Sequence, residues 1–324
     1  MADRLLEVQG LSTGIRKGGD LFTAVDNISF RIDEGEIVGL AGESGCGKTL
    51  TALSIPNLLP RGAAIVSGEI IYDYKSLASL SKREMSHIMG REISVIFQEA
   101  RQALNPLMRS GDQITETLEL SGGRRKRKNK KIALELLERL GFDEPRRIFS
   151  AFPHQLSGGM CQRVMAAIAA VCRPRLLLAD EPSTALDAAS QEQVFSLLTE
   201  MNRGTGTAIL LISHDLSVIQ KFTNRFLVMY AGKIVEEGPS QSLLSPLHPY
   251  TKALIGAIPG KDKKGEKLQT IPGKVPSIED RFSGCPFAPR CRKAQGPCTA
   301  SFPPEKNNFG QKVFCYFPEG AAGE

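Results

Sequence analysis

Eight consecutive residues, Gly42 to Thr49, constrain this chain more than any other feature. They read GESGCGKT, a full match to the phosphate-binding loop pattern. The glycines let consecutive backbone N–H groups turn inward around phosphate oxygens. The following helix points its N-terminus at the same anion. Lys48 can reach terminal phosphates, and the Thr49 hydroxyl can hold Mg²⁺. The pattern needs a strand before it and a helix after it. Glu36 to Ala41 (EIVGLA) reads as a buried strand, and Thr49 to Leu59 reads as a helix stopped by Pro60. Cys46 is read as a small filler in the loop.

The rest of the body alternates short β-branched runs with longer helical stretches, which is the pattern of an α/β domain. Strands are expected at Ile28 to Ile32, Ile93 to Phe97, Leu176 to Ala179 and Thr207 to Ile212. A hairpin is expected from Phe226 to Val235, turning at Ala231-Gly232. Between Gln98 and Arg173 the pattern becomes helical, as in Lys131 to Leu140, and suggests an inserted helical subdomain at about 99–173. Gly14 to Asp20 reads as a loop. After about residue 256 prolines punctuate a segment of little periodicity. No internal repeat is visible.

Two strand ends carry chemistry. Leu176 to Glu181 (LLLADE) is an apolar strand delivering two carboxylates. Asp180 suits a Mg²⁺ shell, and Glu181 can orient and polarise a water for attack on a γ-phosphate. Ser213-His214-Asp215 ends the next apolar strand and offers His214 to the same phosphate. Leu156 to Met160 reads LSGGM. Ser157 suits a helix cap, while Gly158 and Gly159 in the first turn cost about 1 kcal/mol each relative to Ala. Two such glycines make sense where backbone N–H groups must lie against an anion.

Taken in this order, GESGCGKT, LSGGM and LLLADE resemble the nucleotide-binding subunit of an ATP-binding cassette (ABC) transporter. The resemblance covers residues 5 to about 240. It implies a P-loop ABC-type α/β fold with an antiparallel β subdomain and a helical subdomain. It also implies ATP and Mg²⁺ as ligands. ATP would be bound by Gly42, Glu43, Ser44, Gly45, Cys46, Gly47, Lys48, Thr49 and Leu50, and Mg²⁺ by Thr49, Gln98 and Asp180. The catalytic set would be Glu181, His214 and Gln98. Leu156, Ser157, Gly158, Gly159 and Met160 would clasp the nucleotide of an opposite protomer. Ser183, Ala185, Leu186 and Asp187 would form the loop crossing between protomers. The family usually stacks an aromatic ring on adenine. Leu11 stands near that place here, and Phe22 is the nearest aromatic, either a stacking residue or simply core.

Met160 stands where most of these ATPases carry Gln. That substitution, and His248 to Leu254 (HPYTKAL), resemble the oligopeptide, dipeptide and nickel transporter branch. The branch implies a second, non-identical ATPase subunit, two integral membrane permeases and an extracytoplasmic solute-binding protein. It places the chain on the cytoplasmic face of the membrane. The stretch Glu99 to Asn105 (EARQALN), which would meet a permease, departs from the branch's usual sequence. The expected division is a nucleotide-binding domain over 1–255 and a C-terminal extension over 256–324.

That extension holds Cys285, Cys291, Cys298 and Cys315, four of the chain's 7 cysteines. Four thiolates in one short segment fit either Zn²⁺ or an iron–sulfur cluster. The spacing is wide for a zinc ribbon and resembles the branch's tail, which carries a [4Fe–4S] cluster in some members. Arg290, Arg292 and Lys293 lie among these cysteines and would offset a negative cluster.

Charge and composition add limits. The formal charge is +6, and Arg124 to Lys131 (RRKRKNKK) accounts for all of that excess. This run is read as a solvated loop or a contact for acidic headgroups. No nucleic-acid motif accompanies it. The longest uncharged apolar stretch, Val164 to Cys172, is about half the roughly 20 residues a membrane-spanning helix needs. The N-terminus lacks the pattern of a signal peptide, so the chain is expected in the cytosol. The rival class is a soluble cassette ATPase of DNA repair or translation. Such chains usually carry two cassettes or long coiled-coil insertions.

Overall fold

A computed structural model of the chain describes residues 3–120, 122, 126–184, 186–257, 270–280, 282–308 and 310–320. In chain order the elements are β1 (Arg4–Lys17), β2 (Asp20–Asp33), β3 (Ile37–Ala41), α1 (Lys48–Ser54), β4 (Ala63–Tyr72), β5 (Lys75–Ser76), α2 (Lys82–Ile88), β6 (Ile93–Ile96), α3 (Ala100–Ala103), α4 (Ser110–Leu120), α5 (Lys126–Arg139), α6 (Pro145–Ser150) and α7 (Gly158–Ala170). There follow β7 (Leu176–Asp180), α8 (Ala188–Thr205), β8 (Ala208–Ser213), α9 (Leu216–Phe222), β9 (Arg225–Tyr230), β10 (Lys233–Pro239), α10 (Pro249–Gly256), α11 (Gly296–Ala300), β11 (Glu305–Asn308) and β12 (Gln311–Phe314).

The chain divides into two compact units. The first gathers residues 3–6, 31–37 and 72–212. Its sheet is parallel: β6 pairs with β7 (Ile93 opposite Leu176), and β7 with β8 (Leu176 opposite Ala208). Every residue of these three strands is buried. Unbroken Leu, Ile and Val runs without alternation fit strands covered on both faces. Helices α3 to α7 occupy residues 100–170, where the sequence places a helical subdomain.

The second unit gathers residues 7–30, 38–71 and 213–320. Here β3 runs parallel to β9, while β9, β10, β12 and β11 pair successively antiparallel. A separate sheet in this unit has the order β2-β1-β4.

Several expectations need correcting. Gly14 to Asp20 is not a loop: β1 continues to Lys17 and turns through Gly18 and Gly19 into β2. Gly14, Gly18 and Gly19 gave the stretch the look of a loop and hid the strand. Ser12 and Thr13 are buried, and Thr13 shares a 2.9 Å hydroxyl bond with Ser54. Helix α1 stops at Ser54, short of Leu59, and the left-handed Asn57 follows. Lys126 to Lys131 open helix α5 rather than forming a loop. Cations oppose the dipole at a helix start, so local chemistry argues against a helix there. The buried face of Asn129, Ala133, Leu136 and Leu137 carries it instead. Arg124 and Arg125 lie outside the described residues. The described part of the proline-punctuated tail holds more regular structure than its periodicity implies. It adds β12 beside β10, with Glu236 opposite Val313.

Glu236 ties these pieces together. It is fully buried, and its carboxylate accepts from Leu247 N (2.6 Å), His248 N (3.0 Å) and Gln311 Nε2 (2.5 Å). Burial raises its pKa. Glu236→Ala strands three buried donors, each costing about 1–3 kcal/mol. We expect a loss of about 3 kcal/mol in chemical denaturation, with Glu236→Gln losing less because it keeps an acceptor oxygen.

Candidate functional site

The second unit builds the phosphate loop. Strand β3 delivers the chain into Gly42, and α1 begins at Lys48. Gly42 (φ 153°) and Gly47 (φ 110°) hold conformations that side chains avoid. A Cβ at Gly42 would sit 2.3 Å from Met229 O, and one at Gly47 would sit 2.8 Å from Ala24 O. Both glycines are therefore demanded by packing as well as by turning. Lys48 is 5% exposed, and its Nζ donates to Gly42 O (2.8 Å) and Glu43 O (2.9 Å). Ser44 and Gly45 are exposed at the crown, while Glu43, Thr49 and Leu50 are half-buried. Cys46 is buried, and burial pushes its thiol pKa up. Phe22 is half-buried in β2, whereas Leu11 is fully buried in β1. Leu11 is thus core, and Phe22 is only partly covered. His214 is exposed just after β8, and the next residue, Asp215, caps α9 through Ser217 N at 2.8 Å.

The first unit builds the acidic site. Asp180 ends β7 and is 3% exposed. Glu181 has left-handed backbone geometry (φ 46°), a costly conformation for a residue with a side chain. Its N–H donates to Ile212 O at 3.1 Å. Its Oε2 accepts from Gln98 Nε2 (3.3 Å) and Thr184 Oγ1 (2.9 Å). Gln98 and Glu181, 83 residues apart, therefore meet as a pair. Sequence reasoning missed Thr184 as the residue that orients Glu181.

In the same unit Ser157 caps α7, accepting from Met160 N at 3.2 Å. Leu156 is buried, Ser157 and Gly158 are exposed, and Gly159 and Met160 are half-buried. A Cβ on Gly158 would meet nothing within 4 Å, so the chain's own packing does not require that glycine. Ser183 Oγ accepts from Gln191 Nε2 (3.3 Å), and Leu186 N donates to Ser183 O (3.2 Å). Asp187 caps α8, and its bonds to Ser190 hold its carboxyl below the usual range. Ala185 lies outside the described residues.

The tail brings Cys285, Cys291, Cys298 and Cys315 to one pocket, which His248, Phe287 and Lys293 also line. Burial pushes the Cys285 and Cys315 thiols up to about 11 and raises Cys291 as well. His248 is 1% exposed, and burial pushes its pKa down to about 3. Its Nδ1 accepts from Tyr250 N at 3.1 Å, so the ring proton sits on Nε2, an atom with no hydrogen-bond partner. Among the described residues, no three His, Cys, Asp or Glu side chains are grouped so as to hold a metal ion. Of the basic side chains named beside these thiols, Arg290 and Lys293 also have acidic partners. The Arg290 guanidinium pairs with Glu43 at 2.7 Å, while Lys293 pairs with Glu319 at 3.3 Å.

A strand–glycine loop–helix unit with a buried lysine, and a second strand ending in two carboxylates, define a P-loop nucleotide-hydrolysing domain. Residues 25–184 match the family model described as ABC transporter. Residues 235–298 match that of the oligopeptide/dipeptide transporter, C-terminal region. The chain is 43% identical to oligopeptide transport ATP-binding protein AppD of Bacillus subtilis (strain 168), across 98% of each chain. It is 38% identical to dipeptide transport ATP-binding protein DppD of Escherichia coli (strain K12), again across 98% of each. The chain belongs to the ATP-binding subunits of ABC transporters, in the branch bearing the oligopeptide/dipeptide C-terminal region. A dimeric ATP-binding cassette in a post-hydrolysis state, bound to ADP and Pi, has the same fold. It is 28% identical with a TM-score of 0.67, covering 73% of this chain and 99% of that one. The protein is thus an ATPase that uses ATP with Mg²⁺. No helix among the described residues is long and apolar enough to cross a membrane.

Proposed function

We propose that this chain powers uptake of oligopeptides or dipeptides as the ATPase subunit of an ABC importer. The carrying observation is near full-length similarity to AppD and DppD, C-terminal region included. The importer consists of this chain, a second non-identical ATPase subunit, two membrane permeases and an extracytoplasmic solute-binding protein. The chain sits peripherally on the cytoplasmic face of the membrane. Exposed Leu107, close after the Glu99–Asn105 stretch, suits a permease contact. We read residues 1–255 as the nucleotide-binding domain and 256–324 as the extension.

In this reading the loop from Gly42 to Leu50 binds ATP, with Lys48 on the terminal phosphates and Phe22 against the base. Thr49, Gln98 and Asp180 hold Mg²⁺, which neutralises phosphate charge when bound. Glu181 polarises the attacking water, with Gln98 and Thr184 fixing its carboxylate, and His214 contacts the γ-phosphate. Leu156 to Met160, with exposed Ser157 and Gly158 at their centre, close over the nucleotide of the partner ATPase. Ser183, Ala185, Leu186 and Asp187 form the crossing loop.

The extension is proposed to carry a [4Fe–4S] cluster. Four thiols lining one pocket are a soft donor set, and the unpartnered His248 N–H suits a sulfur acceptor there. Chain purified without oxygen is expected to contain iron and acid-labile sulfide in equal amounts. Zinc without sulfide would replace the cluster by a zinc site.

The substrate reading is tested by ATPase stimulation of the complete complex in the presence of its solute-binding protein. Peptides are expected to stimulate turnover and nickel salts are not. Stimulation by nickel alone would overturn the peptide reading.

A further inference from the structure

Glu43 is an acid inside a loop shaped to receive anions. An uncompensated carboxylate there would oppose the nucleotide's charge. It is compensated from the far end of the chain. Arg290 donates to both Glu43 oxygens, through Nη1 at 2.7 Å and Nη2 at 3.1 Å. The same guanidinium donates through Nε to Pro272 O (2.7 Å) and through Nη1 to Tyr230 Oη (3.2 Å). Its side chain is 6% exposed. A second anchor acts on the same residue: Glu43 N–H donates to Tyr250 Oη at 2.9 Å. Tyr250 and Tyr230 are fully buried, and their rings pack against each other at 4.6 Å and each against Phe287 at 5.2 Å.

Arg290 belongs to a continuous turn of the tail, while Tyr250 comes from α10. Ala288 N donates to Cys285 O, Arg290 N to Phe287 O and Cys291 N to Ala288 O, at 2.9–3.2 Å. The turn that presents two of the thiols to their pocket therefore also presents Arg290 to the phosphate loop. With Lys48 Nζ on Glu43 O, this one residue has its N–H, its carbonyl and its carboxylate all engaged.

We propose that Arg290 is a positioning residue for nucleotide binding. Through Glu43, and with Tyr250, it holds the start of the phosphate loop in its anion-receiving shape and cancels the Glu43 charge. The cysteine-bearing tail is then a built-in part of the ATP site rather than an appendage. This rests on reading Gly42–Thr49 as that site.

The test is steady-state ATPase kinetics with MgATP on the complete complex. Arg290→Met is expected to raise KM for ATP about tenfold, the loss of one charge-assisted pair, while kcat changes far less. Arg290→Lys should recover part of the loss, since it restores the charge but not the two-pronged geometry. Glu43→Gln combined with Arg290→Met should be no worse than Arg290→Met alone, because the arginine acts through that carboxylate. Tyr250→Phe keeps the ring packing and removes only the hydroxyl. It should raise KM as well, and it serves if Arg290→Met does not fold. Unchanged KM in Arg290→Met or Tyr250→Phe, or a fall in kcat alone, overturns the proposal. The ATP-site reading fails separately if Lys48→Ala keeps wild-type ATP affinity.

Discussion

Glu181→Gln is expected to bind ATP as the parent chain does and to hydrolyse it roughly 10²–10⁴-fold more slowly, the usual contribution of a positioned general base. The substitution is nearly isosteric. The amide oxygen can still accept from Gln98 Nε2 and Thr184 Oγ1, which hold the carboxylate at 3.3 and 2.9 Å. The left-handed backbone at φ 46° is equally strained with either side chain. Shape is therefore retained, and what is lost is the ability to accept a proton from water. The expected signature is a collapsed kcat with ATP affinity intact, read by single-turnover hydrolysis and equilibrium nucleotide binding. Undiminished turnover would remove Glu181 from its proposed role.

The second large effect is on binding. Lys48→Ala should weaken ATP affinity roughly a hundredfold, since charge-assisted bonds to phosphate contribute about 1.5–3 kcal/mol each. Folding should survive. Burying an ammonium is itself costly, and Glu43 remains held by Tyr250 and Arg290. Gly42 and Gly47 stay confined by Met229 and Ala24 main chain. An unchanged melting temperature with lost nucleotide binding separates this outcome from simple misfolding. Wild-type affinity would mean that the buried lysine serves only to brace the loop.

Much of this was legible in the sequence because the chemistry is local. GESGCGKT specifies its own turn, and LLLADE specifies a buried strand with acids at its end. Each motif carries the glycines, apolar run or cap that forces its geometry. The strands β6, β7 and β8 were readable for the same reason. Where packing overrides local chemistry, the reading failed. Lys126 to Lys131 look like a solvated run, yet they form a helix because Ala133, Leu136 and Leu137 are buried beneath it. Gly14 to Lys17 look like loop residues, yet they lie inside β1. Short strands such as β12 offer too few residues for a period, and its pairing with β10 depends on the buried Glu236 network.

The candidate sites divide the same way. Glu181 was named from its motif and Gln98 from the family resemblance, and their contact follows from the parallel strands that deliver them. Thr184 went unnoticed because its part is to orient another side chain. The Glu43 partner of Arg290 went unnoticed for a related reason. In sequence the neighbours of Arg290 are cysteines, whereas in space its partner is Glu43, 247 residues away. No periodicity or spacing encodes such a long-range pair.

The central claim is that ATP hydrolysis by this chain drives peptide uptake. It is tested most directly by transport of labelled peptide into vesicles carrying the complete complex, with ATP supplied on the cytoplasmic side. Uptake should require ATP and should stop when this chain carries Glu181→Gln, although the complex still assembles and binds ATP. Peptide uptake that continues at the wild-type rate with Glu181→Gln in place would contradict it.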